Sequence, residues 1–490
     1  MSEVTDGKNA MLNQKRLSTG IKGLDEIMAG GFLCGYSYLL RGGPGTGKTT
    51  FGLHFLSEAA REKVAALYIS FEESEEQIRS TASSLGFDIS CVEFLDLSPS
   101  SEFFVEAQSY DIFSSAEVER EPITDSIVER VKRINPKRVF IDPITQLRYL
   151  STDRFQFHRQ ILSFLRFLTE FGATILISSE YSPDAPDYDI QFLVHSVMQL
   201  ETDGDYRTLS VIKYRSSDFT TGKHSYRLTG KGAVVYPKLN PGEFSRSFEN
   251  NLLPTGIMEM DMLLKGGIER GTINMISGPS GAGKTTLGMQ ILCAFAQQGG
   301  NSVIFSFDEE IGMMKARCES IGMPVGEMAD KGLLQLLKLE PTIYSPDHFA
   351  LIVRNMVEGG NVSNVMIDST SGYKLAMKGE KLQDHLHTLC KYLQNMGVTV
   401  ILVTELTKIT GDFVITENGI SYLADNVIFL RYLEINGEMK KAIGVLKKRL
   451  SDFEKTLREF SITQNGIKIG EPLTNLRGIL RGEPDWIRNA

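Results

Sequence analysis

At 490 residues the chain exceeds what one ordinary hydrophobic core holds, and it suits two domains of roughly 240 residues each. Its 52 Lys and Arg against 61 Asp and Glu leave a formal charge of −9, and with no long basic run this argues against a nucleic-acid partner. Five scattered cysteines (Cys34, Cys91, Cys293, Cys318, Cys390) form no CxxC pair, which excludes a disulfide framework or a zinc ribbon as the organising device.

Residues 1–14 are polar and without hydrophobic period, and are expected to be a flexible tail. They show no signal-peptide pattern, and no apolar run in the chain approaches the ~20 residues that span a bilayer, so no membrane association and a cytoplasmic location are expected. The first domain is assigned to residues 15–240. It opens on Leu17-Ser18-Thr19-Gly20-Ile21, followed by Asp25 and Gly30-Gly31. The strand-like run Tyr38-Leu39-Leu40 then leads into Gly42-Gly43-Pro44-Gly45-Thr46-Gly47-Lys48-Thr49-Thr50 and a helix-like segment. That is the pattern of a phosphate-binding loop: glycines turn backbone N–H groups inward, and the helix N-terminus adds positive charge.

Further along, Ala66 to Phe71 reads as a β-branched and aromatic strand ending in Glu72-Glu73, and Arg138-Val139-Phe140-Ile141-Asp142 as a buried strand ending in a carboxylate. The polar stretch from Ser98 to Pro122 is expected to be a surface loop and a partner site. An apolar strand from Ala173 to Ser179 precedes Glu180, and a β-rich segment from Thr208 to Tyr214 carries Lys213 and Arg215.

The stretch Pro237 to Asn251, rich in Pro, Gly, Asn and Ser, marks a linker, placed at 241–252. Everything then repeats in a second domain, assigned to 253–480. Thr19 recurs as Thr255 and Lys48 as Lys284, both 236 positions on. The second loop is Gly278-Pro279-Ser280-Gly281-Ala282-Gly283-Lys284-Thr285-Thr286, its acids are Asp308-Glu309, and its carboxylate-ended strand is Asn364 to Asp368. Val398 to Thr404 precedes Glu405, and Ile443 to Leu446 leads into Lys447 and Arg449. This is tandem duplication. Residues 481–490 are expected to form a short tail. Strands alternating with helices behind a phosphate loop predict two doubly wound α/β domains with mainly parallel sheets.

The residue types specify a chemistry. Lys48 and Lys284 are suited to the β- and γ-phosphates of ATP, with Gly45, Thr46, Gly47 and Thr50, and Gly281, Ala282, Gly283 and Thr286, completing the two cradles. Thr49 with Asp142, and Thr285 with Asp368, are the candidate Mg²⁺ pairs. Glu72 and Glu73, and Asp308 and Glu309, stand where a carboxylate would orient or deprotonate an attacking water. Lys213 with Arg215, and Lys447 with Arg449, lie over 150 residues from their own loops and are candidates for γ-phosphate contact across a subunit boundary. Their competing reading is edge-strand cations that discourage aggregation.

With the duplication, these motifs, and the closing stretches Tyr432 to Met439 and Leu457-Arg458-Glu459-Phe460, the chain resembles the KaiC family of circadian-clock ATPases from about residue 15 to 480. The resemblance implies two tandem RecA-like P-loop domains in a double-layered homohexamer. ATP would lie at every subunit interface, with a slow ATPase in the first layer and serine/threonine autokinase and phosphatase activity in the second. Glu72 and Glu73 match the family's paired glutamates, whereas Asp308 is shorter by one methylene. The family's Ser-Thr phosphoacceptor pair corresponds to Ser421 and Tyr422, of which Ser421 keeps an aliphatic hydroxyl and is the expected acceptor. KaiC chains controlled by KaiA carry a longer tail, while this one ends soon after Pro484-Asp485-Trp486-Ile487, so KaiA-type control is not expected. A KaiB-like partner at the first domain is the pairing that the resemblance leaves open. Two other readings compete: a RecA-like motor acting on DNA, and a hexameric scaffold that binds ATP without phosphoryl transfer.

Overall fold

The computed structural model describes residues 15–98, 116–148, 154–181, 187–204, 206–340, 343–360, 362–377, 382–406, 420–435, 437–474, 476–477 and 485–486. It divides into two compact units, Met1–Lys238 and Leu239–Ala490.

The first unit is built on a nine-stranded sheet. In chain order its strands are β1 (Ser37–Gly42), β2 (Ala66–Ser70), β3 (Val92–Asp96), β4 (Arg138–Asp142), β5 (Thr174–Glu180), β6 (Ser196–Asp203), β7 (Tyr206–Tyr214), β8 (His224–Thr229) and β9 (Gly232–Tyr236). Across the sheet they run β9-β8-β7-β6-β1-β5-β4-β2-β3. The six strands from β6 to β3 are parallel, and β7, β8 and β9 add on as antiparallel meanders. β1, β4 and β5 are covered on both faces, which is why they read as continuous apolar runs with little alternation.

The second unit repeats the plan with β10 (Ile273–Pro279), β11 (Asn301–Ser306), β12 (Leu334–Lys338), β13 (Val362–Asp368), β14 (Thr399–Leu406), β15 (Asn426–Ile435), β16 (Glu438–Lys448), β17 (Arg458–Thr463) and β18 (Gly466–Pro472). Their order is β12-β11-β13-β14-β10-β15-β16-β17-β18, with β15 to β18 antiparallel to one another. These are two RecA-like α/β units with mainly parallel sheets.

The duplication extends to single hydrogen bonds. The Thr19 hydroxyl and backbone N–H both donate to one Asp25 oxygen at 2.7 Å, and Thr255 does the same to Asp261 at 2.8 Å. Two β-bulges recur as well. The β6–β7 register slips between Val197 and Met198, leaving Ile212 unpaired, and the β15–β16 register slips between Val427 and Ile428, leaving Leu446 unpaired. Each bulge directly precedes a strand-end cation, Lys213 or Lys447, and re-aims it.

One expectation needs revision, and the stretch read as a linker can be placed. Within the Ser98 to Pro122 stretch, residues 99–115 lie outside the described residues, but Ala116–Ile134 is a helix that runs through Pro122, so the expected surface loop does not extend to that proline. The linker-like stretch is laid onto the second unit. Leu239 belongs to that unit's core, Phe244 meets Tyr392 edge-on with 5.3 Å between ring centroids, and Phe248 covers the glycines Gly271 and Gly397. Its aromatic residues override its polar composition, because burying them is favourable. Among the described residues no helix is long and apolar enough to cross a membrane.

Candidate functional site

Both phosphate loops take the backbone shape that an anion cradle requires. Gly45 and Gly47 have φ of 71° and 91°, and Gly281 and Gly283 have 73° and 107°. Glycine adopts these values without strain, and left-handed residues alternating with right-handed ones turn successive N–H groups into one concavity. Space is tight as well: a Cβ on Gly47 would stand 2.7 Å from a Leu228 methyl, and one on Gly283 2.7 Å from an Ile462 methyl, so those side chains would have to shift. Thr46 and the buried Ala282 fill the corresponding loop positions, and the Thr46 carbonyl accepts from Tyr226 at 2.8 Å. Helices α1 (Lys48–Glu62) and α2 (Lys284–Gln297) start at the loop lysines, so Thr49, Thr50, Thr285 and Thr286 lie in the first turn, at the positive end of the helix dipole.

The lysine ammonium groups rest on the loops themselves. Lys48 donates to the carbonyls of Gly42 and Gly43 at 3.0 and 3.1 Å, and Lys284 to that of Pro279 at 2.8 Å. Burial lowers the Lys284 pKa, partly opposed by Glu405 and Asp368.

The metal-pair carboxylates sit at the ends of β4 and β13, one strand removed from the loop strand in each sheet. Their surroundings differ. Asp142 accepts from the Thr49 hydroxyl at 2.7 Å, from Tyr68 at 2.9 Å and from Ser178. Among the described residues, Asp368 keeps the threonine, Thr285, and no counterpart of the other two donors. The position matching Tyr68 is Ile304, and Asp368 lies in register with Val403, where Asp142 lies beside Ser178. Burial therefore pushes the Asp368 carboxyl up to about 6, assisted by Glu309 and Asp308 and opposed by the Thr285 hydrogen bond. A threonine hydroxyl held against a carboxylate at a helix N-terminus fits Mg²⁺, which takes few protein ligands and completes its shell with phosphate and water.

The paired acids follow β2 and β11, as expected. Ser70 holds the Glu73 carbonyl at 2.5 Å and Ser306 the Glu309 carbonyl at 2.7 Å, fixing the same turn in both units. Their carboxylates are engaged differently. Glu72 accepts from Gln146 at 2.6 Å. The Glu73 carboxyl is raised, first by desolvation and then by the charges of Asp142 and Glu72. In the second unit Asp308 accepts from Ser369 at 2.9 Å, and it is packed so closely that a Cβ on Gly372 would stand 2.5 Å from its carboxylate. Glu309 is gripped by the Arg317 guanidinium through two bonds, Nη2 to Oε2 at 2.7 Å and Nε to Oε1 at 3.2 Å. Gln146, Ser369 and Arg317 were not foreseen. Tyr68 and Ser178 could have been, because a polar side chain inside an apolar strand needs a partner.

The strand-end cations are not brought to their own cradles. Lys213 pairs with Val197 near the start of β6, whereas the loop leaves the far end of β1, beside Leu200. The Lys213 ammonium donates to the carbonyls of Gln191 and Val194, both at 2.7 Å, and Arg215 to that of Phe192 at 3.2 Å. Lys447 and Arg449 repeat this arrangement, donating to the Ala424 carbonyl at 2.6 Å and to the Asp425 carboxylate at 3.1 Å. Ser421 lies in a short 3-10 turn, Ile420–Tyr422, just before Asp425. It is half-buried, while Tyr422 is exposed and meets His387 edge-on at 5.6 Å. The Asp425 N–H donates to the carbonyl of Ile273, the first residue of β10, whose own N–H donates to the Asp425 carboxylate, and the seven-residue β10 spans about 20 Å. Ser421, Lys447 and Arg449 thus share one end of the sheet and the phosphate loop occupies the other.

A family model described as the ATPase KaiC matches residues 17–240 and, a second time, 253–474. The circadian clock oscillator protein KaiC of Acaryochloris marina is 28% identical over 484 residues, covering 96% of this chain and 91% of that one. KaiC of Picosynechococcus sp. is 27% identical over 503 residues, covering 99% and 96% respectively. The circadian clock protein KaiC3 of Synechocystis sp. is 25% identical over 485 residues, covering 96% and 94%.

Proposed function

This chain belongs to the KaiC ATPase family, and from that premise we propose that its first unit hydrolyses Mg-ATP while its second transfers the γ-phosphoryl group to Ser421, within a homohexamer whose nucleotides lie between copies. One observation supports the reading above the others: Ser421, Lys447 and Arg449 stand about a strand's length from their own phosphate loop, as do Lys213 and Arg215 from theirs. A cradle and the cations and acceptor that complete it therefore come from two neighbouring copies.

Within each copy the loop N–H groups and Lys48 or Lys284 bind and orient the triphosphate. Mg²⁺, held through Thr49 and Asp142 or Thr285 and Asp368, would neutralise charge developing on the β- and γ-phosphates. Glu73 is suited to take a proton from water: burial and the neighbouring Asp142 and Glu72 raise its carboxyl pKa, and no cation grips it among the described contacts. Lys213 and Arg215 of the adjoining copy are suited to stabilise the charge on the transferring group. The formal charge of −9 speaks against the DNA motor. A KaiB-like partner of the first unit remains part of the proposal.

Two measurements on the full-length protein test the reading. Lys48→Ala should remove most phosphate release, and unchanged turnover would refute the assignment of hydrolysis to the first unit. Incubation with Mg-ATP should place phosphate on Ser421, read by phosphopeptide mass spectrometry against Ser421→Ala. An unmodified chain that still releases phosphate would leave the scaffold reading of the second unit.

A further inference from the structure

The two nucleotide sites are built from one duplicated plan, and among their differences is a cation present beside the acidic turn of the second alone. In the second unit Arg317, on the helix Ile311–Glu319, donates to both oxygens of Glu309 and also to the Thr286 hydroxyl in the first turn of α2. The residue 236 positions earlier is Thr81, exposed on the helix Glu75–Leu85, and Glu73 has no guanidinium partner among the described contacts. Since the bond from Ser306 fixes the Glu309 carbonyl as Ser70 fixes that of Glu73, the two acidic turns are equivalent in backbone and differ in what holds the carboxylate.

We propose that Arg317 is a positioning residue that withholds Glu309 from water, so that the second site spares its ATP from hydrolysis. In hydrolysis a water oxygen forms a bond to the γ-phosphorus, and the bond from that phosphorus to the β–γ bridging oxygen breaks. The water proton passes to a carboxylate, leaving ADP and phosphate. A carboxylate whose two oxygens both accept from a planar guanidinium is held in one orientation, with a lone pair of each oxygen already committed to the arginine. The third contact, to Thr286, ties the clamp to α2, so the clamp is referenced to the phosphate loop and not to a mobile surface. The inference rests on the proposed division of labour between the units, in which the second site must keep ATP intact until an acceptor hydroxyl arrives.

The test is made on the full-length chain in the Lys48→Ala background, where phosphate release reports the second site. Arg317→Thr, which installs the residue of the first unit, should raise that release about tenfold, a fraction of what general-base catalysis contributes. The gain should vanish in Arg317→Thr with Glu309→Gln. A role confined to packing would lower bound nucleotide without raising release, and that result, or a gain that survives Glu309→Gln, overturns the inference. Should Arg317→Thr lose its circular dichroism, Arg317→Lys carries the test: one ammonium cannot grip both oxygens, so release should rise by a smaller factor, and unchanged release overturns the inference. Failure of the underlying reading looks different, because Lys48→Ala alone would then leave turnover intact.

Discussion

The Thr49 hydroxyl lies 2.7 Å from the Asp142 carboxylate, joining the first turn of α1 to the end of β4 across 93 residues of sequence. Tyr68 and Ser178 donate to the same carboxylate, so three hydroxyls fix its orientation before any metal arrives. Asp142→Asn keeps the shape but removes the charge. It is expected to lower Mg²⁺ affinity and phosphate release by about 10- to 100-fold, as loss of a metal-orienting carboxylate does. A Mg²⁺ titration of turnover checks this, and an unshifted half-saturation point would remove Asp142 from the metal site. Tyr68→Phe should have a smaller effect, since two donors remain.

Ser421 cannot reach its own phosphate loop, because the length of β10 lies between them. Phosphorylation is therefore expected between copies. When Lys284→Ala chains, which keep Ser421, are mixed with Ser421→Ala chains, which keep an intact cradle, phosphate should appear on the Lys284→Ala chains. Mass spectrometry with one partner isotopically labelled distinguishes them. Phosphate confined to wild-type chains, with none in the mixture, would mean transfer within a chain and a rearrangement of this end of the sheet.

What was legible in the sequence is what short patterns encode. The phosphate loops, the strand-end carboxylates and the paired acids each occupy a few consecutive residues, and duplication at a constant offset separated them from chance. What was not legible depends on side chains meeting outside any run of consecutive residues. Arg317 reaches Glu309 over a helical segment, and Gln146 reaches Glu72 across 74 residues; neither forms a local motif. The helix Ala116–Ile134 was hidden by Pro122, which reads as a boundary because a helix-interior proline loses one hydrogen bond and crowds the preceding turn. The linker reading failed to anticipate Phe244 and Phe248, whose burial against the second unit outweighs their polar neighbours.

A pH response is expected from His54. Its imidazole lies between α1 and β9 and accepts from the Ala233 N–H at 2.9 Å, and burial lowers its pKa to about 4. A histidine depressed in the folded state stabilises fully above its unfolded value near 6.5, and that stability is lost as pH falls toward about 4. The loss amounts to at most about 3 kcal/mol, from 1.36 kcal/mol per unit. His54→Gln keeps an acceptor and does not titrate. Hydrogen exchange of the β9 amides should show the wild-type advantage over this variant narrowing from pH 7 to pH 4; a difference independent of pH would mean that His54 does not bind its proton more weakly in the fold.

Gly52 and Gly288 occupy the same position of α1 and α2 and face the strands that carry the metal-pair carboxylates. A Cβ on Gly52 would stand 2.1 Å from the Phe140 ring, and one on Gly288 would stand 2.6 Å from the Met366 methyl. Both neighbours are fully buried, but they differ in compliance. A phenylalanine ring is rigid and can yield only by moving the backbone, whereas a thioether has three rotatable bonds and can swing aside. Against either clash stands the gain of roughly 1 kcal/mol from replacing a helix-interior glycine by alanine. Gly52→Ala is therefore expected to destabilise the first unit by about 1 to 3 kcal/mol, the cost of overpacking a filled core, while Gly288→Ala should come close to neutral. Because β4 ends in Asp142, the shift forced by Gly52→Ala should also lower Mg²⁺-dependent phosphate release. Urea denaturation and turnover of the two full-length variants check the pair together, and equal costs at the two positions would show that ring rigidity is not what separates them.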